Sequence, residues 1–299
     1  MEAFDQIVRE LRREYELRYG FAVLDLAARE TPQRLIVAGT VLTAGQRDEV
    51  LRRVGAAAGK PVVSRMRVLG DPRTPAAGWA TVKTALAEIK SRPVAQRLQN
   101  ERILRRLRAD QAARGELLRV LLKREDQLLV QTRARTLGWI NRADVILKKT
   151  SLDGAWRAGR LAVPEKLLTS ERPAAEALRA AAAFLGTPYV LGAKSRAGID
   201  CSGLVQLAYE RAFGIVLPRH SWDQKKMGRA IELDAAAPGD LVFLVNRQGD
   251  TKHVGLLDGE EGERFLLHAS GAAGKVVRQP LAQALERYDL VEVRRILKK

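Results

Sequence analysis

One cysteine occurs in the 299 residues, Cys201 in the phrase Gly198-Ile199-Asp200-Cys201-Ser202-Gly203-Leu204-Val205, where an extended run turns into apolar residues at helical spacing. A lone thiol forms no internal disulfide, and at a helix start the unpaired N–H groups of the first turn stabilise a thiolate. Cys201 is therefore a candidate nucleophile, with a buried small hydrophobe as the plainer reading, and Asp200 or Ser202 could cap the helix. Two of the three histidines follow in strand-like phrases, Thr251-Lys252-His253-Val254-Gly255-Leu256-Leu257 and Phe265-Leu266-Leu267-His268-Ala269-Ser270. Histidine is a base near neutral pH, and a second polar group can fix its tautomer. Cys201, His253 and His268 could thus supply nucleophile, base and orienter. Each histidine alone could equally be a packed structural residue. Paired spacing such as Cys-x-x-Cys or His-x-x-x-His is absent, so neither a metal nor another cofactor is expected.

Six phrases in order carry a family resemblance. They are Gly186-Thr187-Pro188-Tyr189-Val190-Leu191-Gly192, the run Asp200 to Val205, Leu217-Pro218-Arg219-His220-Ser221, Pro238-Gly239-Asp240-Leu241-Val242-Phe243, His253-Val254-Gly255 and His268-Ala269-Ser270. Through them residues 180–297 resemble the NlpC/p60 cysteine peptidases of bacterial cell-wall metabolism. The resemblance implies a papain-like α+β domain, with the cysteine on a helix facing a sheet that carries both histidines. It implies that Cys201 attacks an amide carbonyl, His253 takes and returns the proton, and His268 orients His253. Tyr189 matches the family tyrosine that can donate its hydroxyl near the developing oxyanion. The family usually reads Tyr-x-Trp-Gly-Gly where this chain reads Tyr189-Val190-Leu191-Gly192-Ala193, so stacking surface and backbone freedom are lost beside the groove.

In family members that act on short muropeptides, the positions of Asp200, Ser202 and Ser221 help hold the free amine of an N-terminal L-alanine. The resemblance so implies an endopeptidase that cuts the γ-D-glutamyl-diamino acid bond of short peptidoglycan-derived peptides, in recycling. A secreted enzyme cutting the stem peptides of intact peptidoglycan is the alternative, and a noncatalytic wall-binding protein a third reading. From the residues alone, Asp200 is also an N-cap, Ser221 a turn or cap residue, and His220 a solvated loop histidine.

These residues need a scaffold, and the chain is long enough for two or three cores. Arg34 to Val41 reads as a strand, Gln46 to Val54 as an amphipathic helix and Pro61 to Leu69 as another strand, a β-α-β pattern loosely similar to BON domains. Glu116 to Lys123, Gln127 to Arg133 and Leu137-Gly138-Trp139-Ile140 read as strands, and their order resembles a bacterial SH3-like domain, a small β-barrel. In that setting Trp139 reads as core rather than a glycan-stacking surface. The expected organisation is an N-terminal α/β module over 1–90, the SH3-like domain over 96–148, a linker over 149–173 and the peptidase domain over 174–299.

Lys and Arg number 52 against 35 Asp and Glu, a formal charge of +17. Such a field attracts nucleic acid, anionic membrane or peptidoglycan carboxylates. No zinc finger or ladder of stacking aromatics accompanies it, and no nucleic-acid partner is expected. The first residues lack a signal-like apolar core, and no run of about 20 apolar residues could span a bilayer. A cytoplasmic location is expected, with a secreted or envelope-associated one as the alternative if a leader has been removed.

Overall fold

Strands Lys252–Asp258 and Phe265–Ser270 bury almost every residue, which a strand does only when its sheet is covered on both faces. The structure, a computed structural model, describes residues 2–19, 21–94, 107–157, 160–162, 165–249, 252–259 and 263–298. Residues 96–106 of the expected SH3-like domain, Val163 and Pro164 of the expected linker, and Thr251 of the first histidine phrase lie outside them. The chain forms two compact units. One comprises Met1–Gln99, Arg114–Gln131 and Leu137–Ser151, the other Asn100–Ala113, Thr132–Thr136 and Leu152–Lys299.

The second unit carries the six-stranded antiparallel sheet to which both histidine strands belong. Its order is Arg229–Ile231, Tyr288–Arg295, Leu241–Asn246, Lys252–Asp258, Phe265–Ser270 and Lys275–Pro280. Val254, Leu256, Leu267 and Ala269 pack on one face against helices Glu176–Ala182 and Cys201–Phe213. Leu257 and Leu266, of the opposite parity, meet Leu281 and Ala284 of the short helix Leu281–Leu285 on the other face. The α+β expectation for the peptidase domain is met to the extent that helices pack on an antiparallel sheet in a mixed α/β arrangement. Strand Arg108–Ala113 also belongs to this unit and lies against residues 191–194, where Gln111 Oε1 accepts the Lys194 N–H at 2.7 Å.

The first unit contains the expected β-α-β pattern. Leu35–Val41 and Val62–Val68 pair in parallel across the helix Ala44–Ala58, and Leu24–Glu30 adds an antiparallel strand. Thr43 begins that helix with a capping box to Gln46, a cap worth about 1 kcal/mol. Val37, Val41, Val50 and Val54 form its core with Phe4 and Leu11 of the helix Glu2–Tyr19.

The SH3-like β-barrel expected over 96–148 is not formed. Within the first unit the strands pair in the open order Val145–Lys148, Gly78–Val82, Leu117–Arg124, Gln127–Gln131, Leu137–Asn141, Leu86–Lys90. A barrel needs the last strand to return and bond the first, and among the described residues these two ends do not pair. The turns and the Gly138-Trp139-Ile140 strand specify local conformation, whereas closure depends on pairing partners. Two of those partners, Gly78–Val82 and Leu86–Lys90, precede residue 96. Trp139 is buried core, its ring edge-on to Phe21 at 5.3 Å. Among the described residues no helix is long and apolar enough to cross a membrane.

Candidate active site

Cys201 is the first residue of its helix because Asp200 stops the extended run and caps it. Asp200 Oδ1 accepts the Gly203 N–H at 2.7 Å, and the Asp200 carbonyl accepts the Leu204 N–H. Only glycine fits at position 203, since a Cβ there would lie 2.7 Å from the Ala193 carbonyl and 3.0 Å from Asp200 Oδ1. The carboxylate is filled by further partners. Gly192 N–H donates to Oδ2 at 2.7 Å, and Arg219 donates from Nη1 to Oδ1 at 2.9 Å and from Nη2 to Oδ2 at 2.8 Å. Ser202 Oγ donates to Asp200 Oδ1 at 3.3 Å and accepts from Arg219 Nη1 at 2.9 Å. The bonds Asp200 could have offered a substrate ammonium are thus made to Arg219 and to backbone. Ser221 opens the short helix Ser221–Gln224, and none of these hydrogen bonds involves its side chain. His220 is exposed at the same helix start.

His253 and His268 meet across neighbouring strands, Nε2 of the first to Nδ1 of the second at 2.6 Å. Gly255 makes that approach possible, because a Cβ there would come within 2.7 Å of Leu266 and 3.0 Å of the His268 Cβ. With His253 Nε2–H donating to His268, His253 Nδ1 keeps a lone pair for the thiol proton. The backbone N–H groups of Val254, next along the strand from His253, and of Ser202 act on the Cys201 thiol in the direction that favours the thiolate. The histidine strand and the cysteine helix pack against each other in one core, with Val254 and Cys201 both in it. Tyr288 stacks on the His253 ring with centroids 5.1 Å apart and planes 18° from parallel.

Burial pushes the Cys201 thiol up to about 12, with the Asp200 charge adding to it and the Val254 and Ser202 N–H groups and Arg219 opposing it. Burial pulls His253 down to about 3, reinforced by His268, and pulls His268 itself down to about 4 against the Gln279 side chain. The resting pair is consequently neutral thiol and neutral imidazole. Burial, then the neighbouring Cys201 and Asp200 charges, hold the Tyr189 phenol well above its usual range, so it stays protonated and able to donate. For Arg219 burial favours the neutral form, but Asp200 and Asp110 outweigh it and the guanidinium is charged.

These shifts make stability depend on pH with a definite sign. Both histidines bind protons more weakly folded than unfolded, so their stabilisation is complete above about 6.5 and is lost as pH falls through 4 and then 3. Thermal unfolding across pH 7 to 3 should show the midpoint falling, and His268→Gln should flatten that fall. An identical pH dependence in the variant would mean that His268 is not buried neutral.

The sequence motifs single out Cys201, His253 and His268 as candidate catalytic residues and Tyr189, Asp200, Ser202 and Ser221 as candidate substrate contacts. They miss Arg219, Asp110 and Tyr288. Arg219 was in view inside Leu217-Pro218-Arg219, where a basic residue in a loop reads as solvated, yet it is buried with all five N–H donors directed at acceptors.

Residues 186–295 match the NlpC/P60 family. The murein DD-endopeptidase/LD-carboxypeptidase MepS of Escherichia coli (strain K12) is 38% identical over 93 residues, 31% of this chain and 47% of that protein. The gamma-D-glutamyl-L-lysine dipeptidyl-peptidase of Bacillus subtilis (strain 168) is 34% identical over 124 residues, 41% of this chain and 40% of that protein. The chain thus spans less than half the length of either. The probable endopeptidase NlpC of Escherichia coli (strain K12) is 38% identical over 112 residues, 37% of this chain but 70% of that protein. Identity at that level across most of a relative's length goes with common descent, and the chain belongs to the NlpC/P60 family of cysteine peptidases.

Proposed function

We propose that the chain is a cysteine endopeptidase acting on the stem peptides of peptidoglycan, with Cys201 as nucleophile, His253 as base and His268 as its orienter. The observation that carries the reading is the buried His253–His268 hydrogen bond on a sheet that packs against the helix opened by Cys201. The thiol passes its proton to His253 Nδ1 as sulfur attacks the amide carbonyl. The tetrahedral intermediate collapses to a thioester, and His253 returns the proton to the departing amine. His253 then deprotonates water, which releases the acid and restores the thiol. The Ser202 N–H and the protonated Tyr189 hydroxyl are available to the oxyanion.

The bond proposed is the γ-D-glutamyl-diamino acid bond, a reading supported by the name of the Bacillus relative, while the MepS name supports peptides within the wall as substrate. Wall substrates also fit a carboxylate at Asp200 that Arg219 already holds, since no free substrate amine is then required. An extracytoplasmic location goes with that substrate. Initial rates on purified sacculus, an L-Ala-γ-D-Glu-diamino acid peptide and its N-acetyl derivative test the proposal at matched bond concentration. Sacculus should release fragments ending in γ-D-glutamate, and N-acetylation should change the peptide rate less than about tenfold, the scale of one displaced charged contact. Products cut only at D,D cross-links would move the assignment to that bond. Inert sacculus with strong preference for the free amine would instead support recycling of small peptides.

A further inference from the structure

Asp110 lies 76 residues ahead of the family-matched region, on strand Arg108–Ala113, and is fully buried. Its Oδ1 accepts Arg219 Nε–H at 3.0 Å, while Lys194 Nζ stands 3.6 Å from the same oxygen. Arg219 turns its other edge to the Asp200 carboxylate and to Ser202 Oγ, and donates to the Ala193 carbonyl at 3.2 Å. A guanidinium is planar, so an acceptor on Nε sets the plane in which the remaining fork meets its carboxylate. The strand braces the same loop a second time, through Gln111 to the Lys194 N–H and Arg108 to the Leu191 carbonyl. That loop in turn receives the Asp200 N–H at Ala193 and supplies the Gly192 N–H to Asp200.

We propose that Asp110 is a positioning residue for the peptidase site, acting through Arg219 to hold the Asp200 cap and so the place of Cys201 at the helix start. The site is then completed by a strand from outside the family domain, and a chain cut down to residues 186–295 would lack it. Nothing in the geometry brings Asp110 to the substrate, because its side chain is sealed from solvent. It works by orientation and by charge. Asp110, Asp200, Arg219 and Lys194 balance one another, and the charged or titratable groups that act on the thiol are Asp200, Arg219, Tyr189 and Tyr288.

The proposal rests on Cys201 as nucleophile and is tested on the full chain by two readings. Asp110→Ala leaves the Arg219 Nε–H without its acceptor, and kcat should fall about ten- to hundredfold with KM nearly unchanged, the cost of slight misplacement of a reacting group. Asp110→Asn keeps an oxygen for that N–H and should recover most of kcat. It also removes a negative charge, leaving Arg219 freer to favour the thiolate, so iodoacetamide should alkylate Cys201 at lower pH than in the wild type. Because Cys201 is the only cysteine, mass spectrometry reads this without substrate. Ala112→Gly, which weakens the same strand, serves as the control for stability. An unmoved alkylation profile in folded Asp110→Asn, or a kcat loss in Asp110→Ala no larger than in the control at equal Tm, would overturn the proposal. Failure of the peptidase reading shows separately, as turnover by Cys201→Ala.

Discussion

Cys201→Ala and His253→Ala should each abolish measurable peptide turnover while leaving the fold intact. Cys201 is buried at the start of its helix, and removing one sulfur atom leaves the Asp200 cap and its bond to the Gly203 N–H in place. Loss of the sulfur removes the only cysteine, so no neighbouring thiol can substitute. His253→Ala removes the acceptor for the thiol proton, and general-base catalysis commonly contributes about 100- to 10,000-fold. With the thiol held near 12 by burial, spontaneous thiolate is scarce at neutral pH, which puts the expected loss toward the upper end. His268→Ala should retain more activity, because the Tyr288 ring still stacks on His253 and limits its rotation. Product release followed by mass spectrometry, with circular dichroism to check folding, decides the matter. Full turnover by folded Cys201→Ala would refute the assignment of the nucleophile.

Those three residues were legible because each sits in a short phrase whose local physics sets its conformation. Asp200 is a strong N-cap followed by a glycine that tolerates the cap, so the helix start at Cys201 could be read directly. His253-Val254-Gly255 alternates as a strand, and its glycine makes the room that His268 fills. The rest depended on partners far away in the chain. Arg219 and Asp110 are separated by 109 positions, and no periodicity signals that a loop arginine will be buried by a carboxylate from an upstream strand. The same limit explains the open sheet of the first unit. Three of its strands were recognisable, whereas Gly78–Val82, Leu86–Lys90 and Val145–Lys148 were not, and the pairing of Val145–Lys148 with Gly78–Val82 joins segments more than 60 residues apart. Local pattern specifies a strand and its inward face; it leaves the neighbour undetermined.

Asp200 illustrates how one residue type supports two readings until its neighbours are seen. An acidic side chain before the cysteine suits both a helix cap and a substrate ammonium. The cap is present, and the cation beside it is Arg219. The buried pair must be argued with care, since its attraction is largely spent on the desolvation of its members. What it supplies is geometry, because five directed N–H bonds hold the loop, the cap and the upstream strand in one arrangement.

Arg219→Met should therefore produce the largest loss of stability of any substitution at the site. It leaves two buried carboxylates, Asp200 and Asp110, with only Lys194 near one of them. Removing one partner of a buried ion pair typically costs about 3–5 kcal/mol. For a unit of this size that lowers Tm by roughly 10 °C. Arg219→Lys should rescue little, since a single ammonium cannot reach Asp110, both Asp200 oxygens and Ser202 Oγ from one position. The informative variant is the triple substitution Arg219→Met, Asp200→Asn, Asp110→Asn, which removes the stranded charges together with their partner. It should recover much of the lost Tm without recovering turnover, because stability depends on the absence of uncompensated charge whereas catalysis depends on where the cap holds Cys201. Wild-type stability in Arg219→Met alone would show that the guanidinium does not hold the network. Recovery of both Tm and turnover in the triple variant would show that the helix start needs no ionic frame, and that Cys201 is positioned by the helix and sheet packing alone.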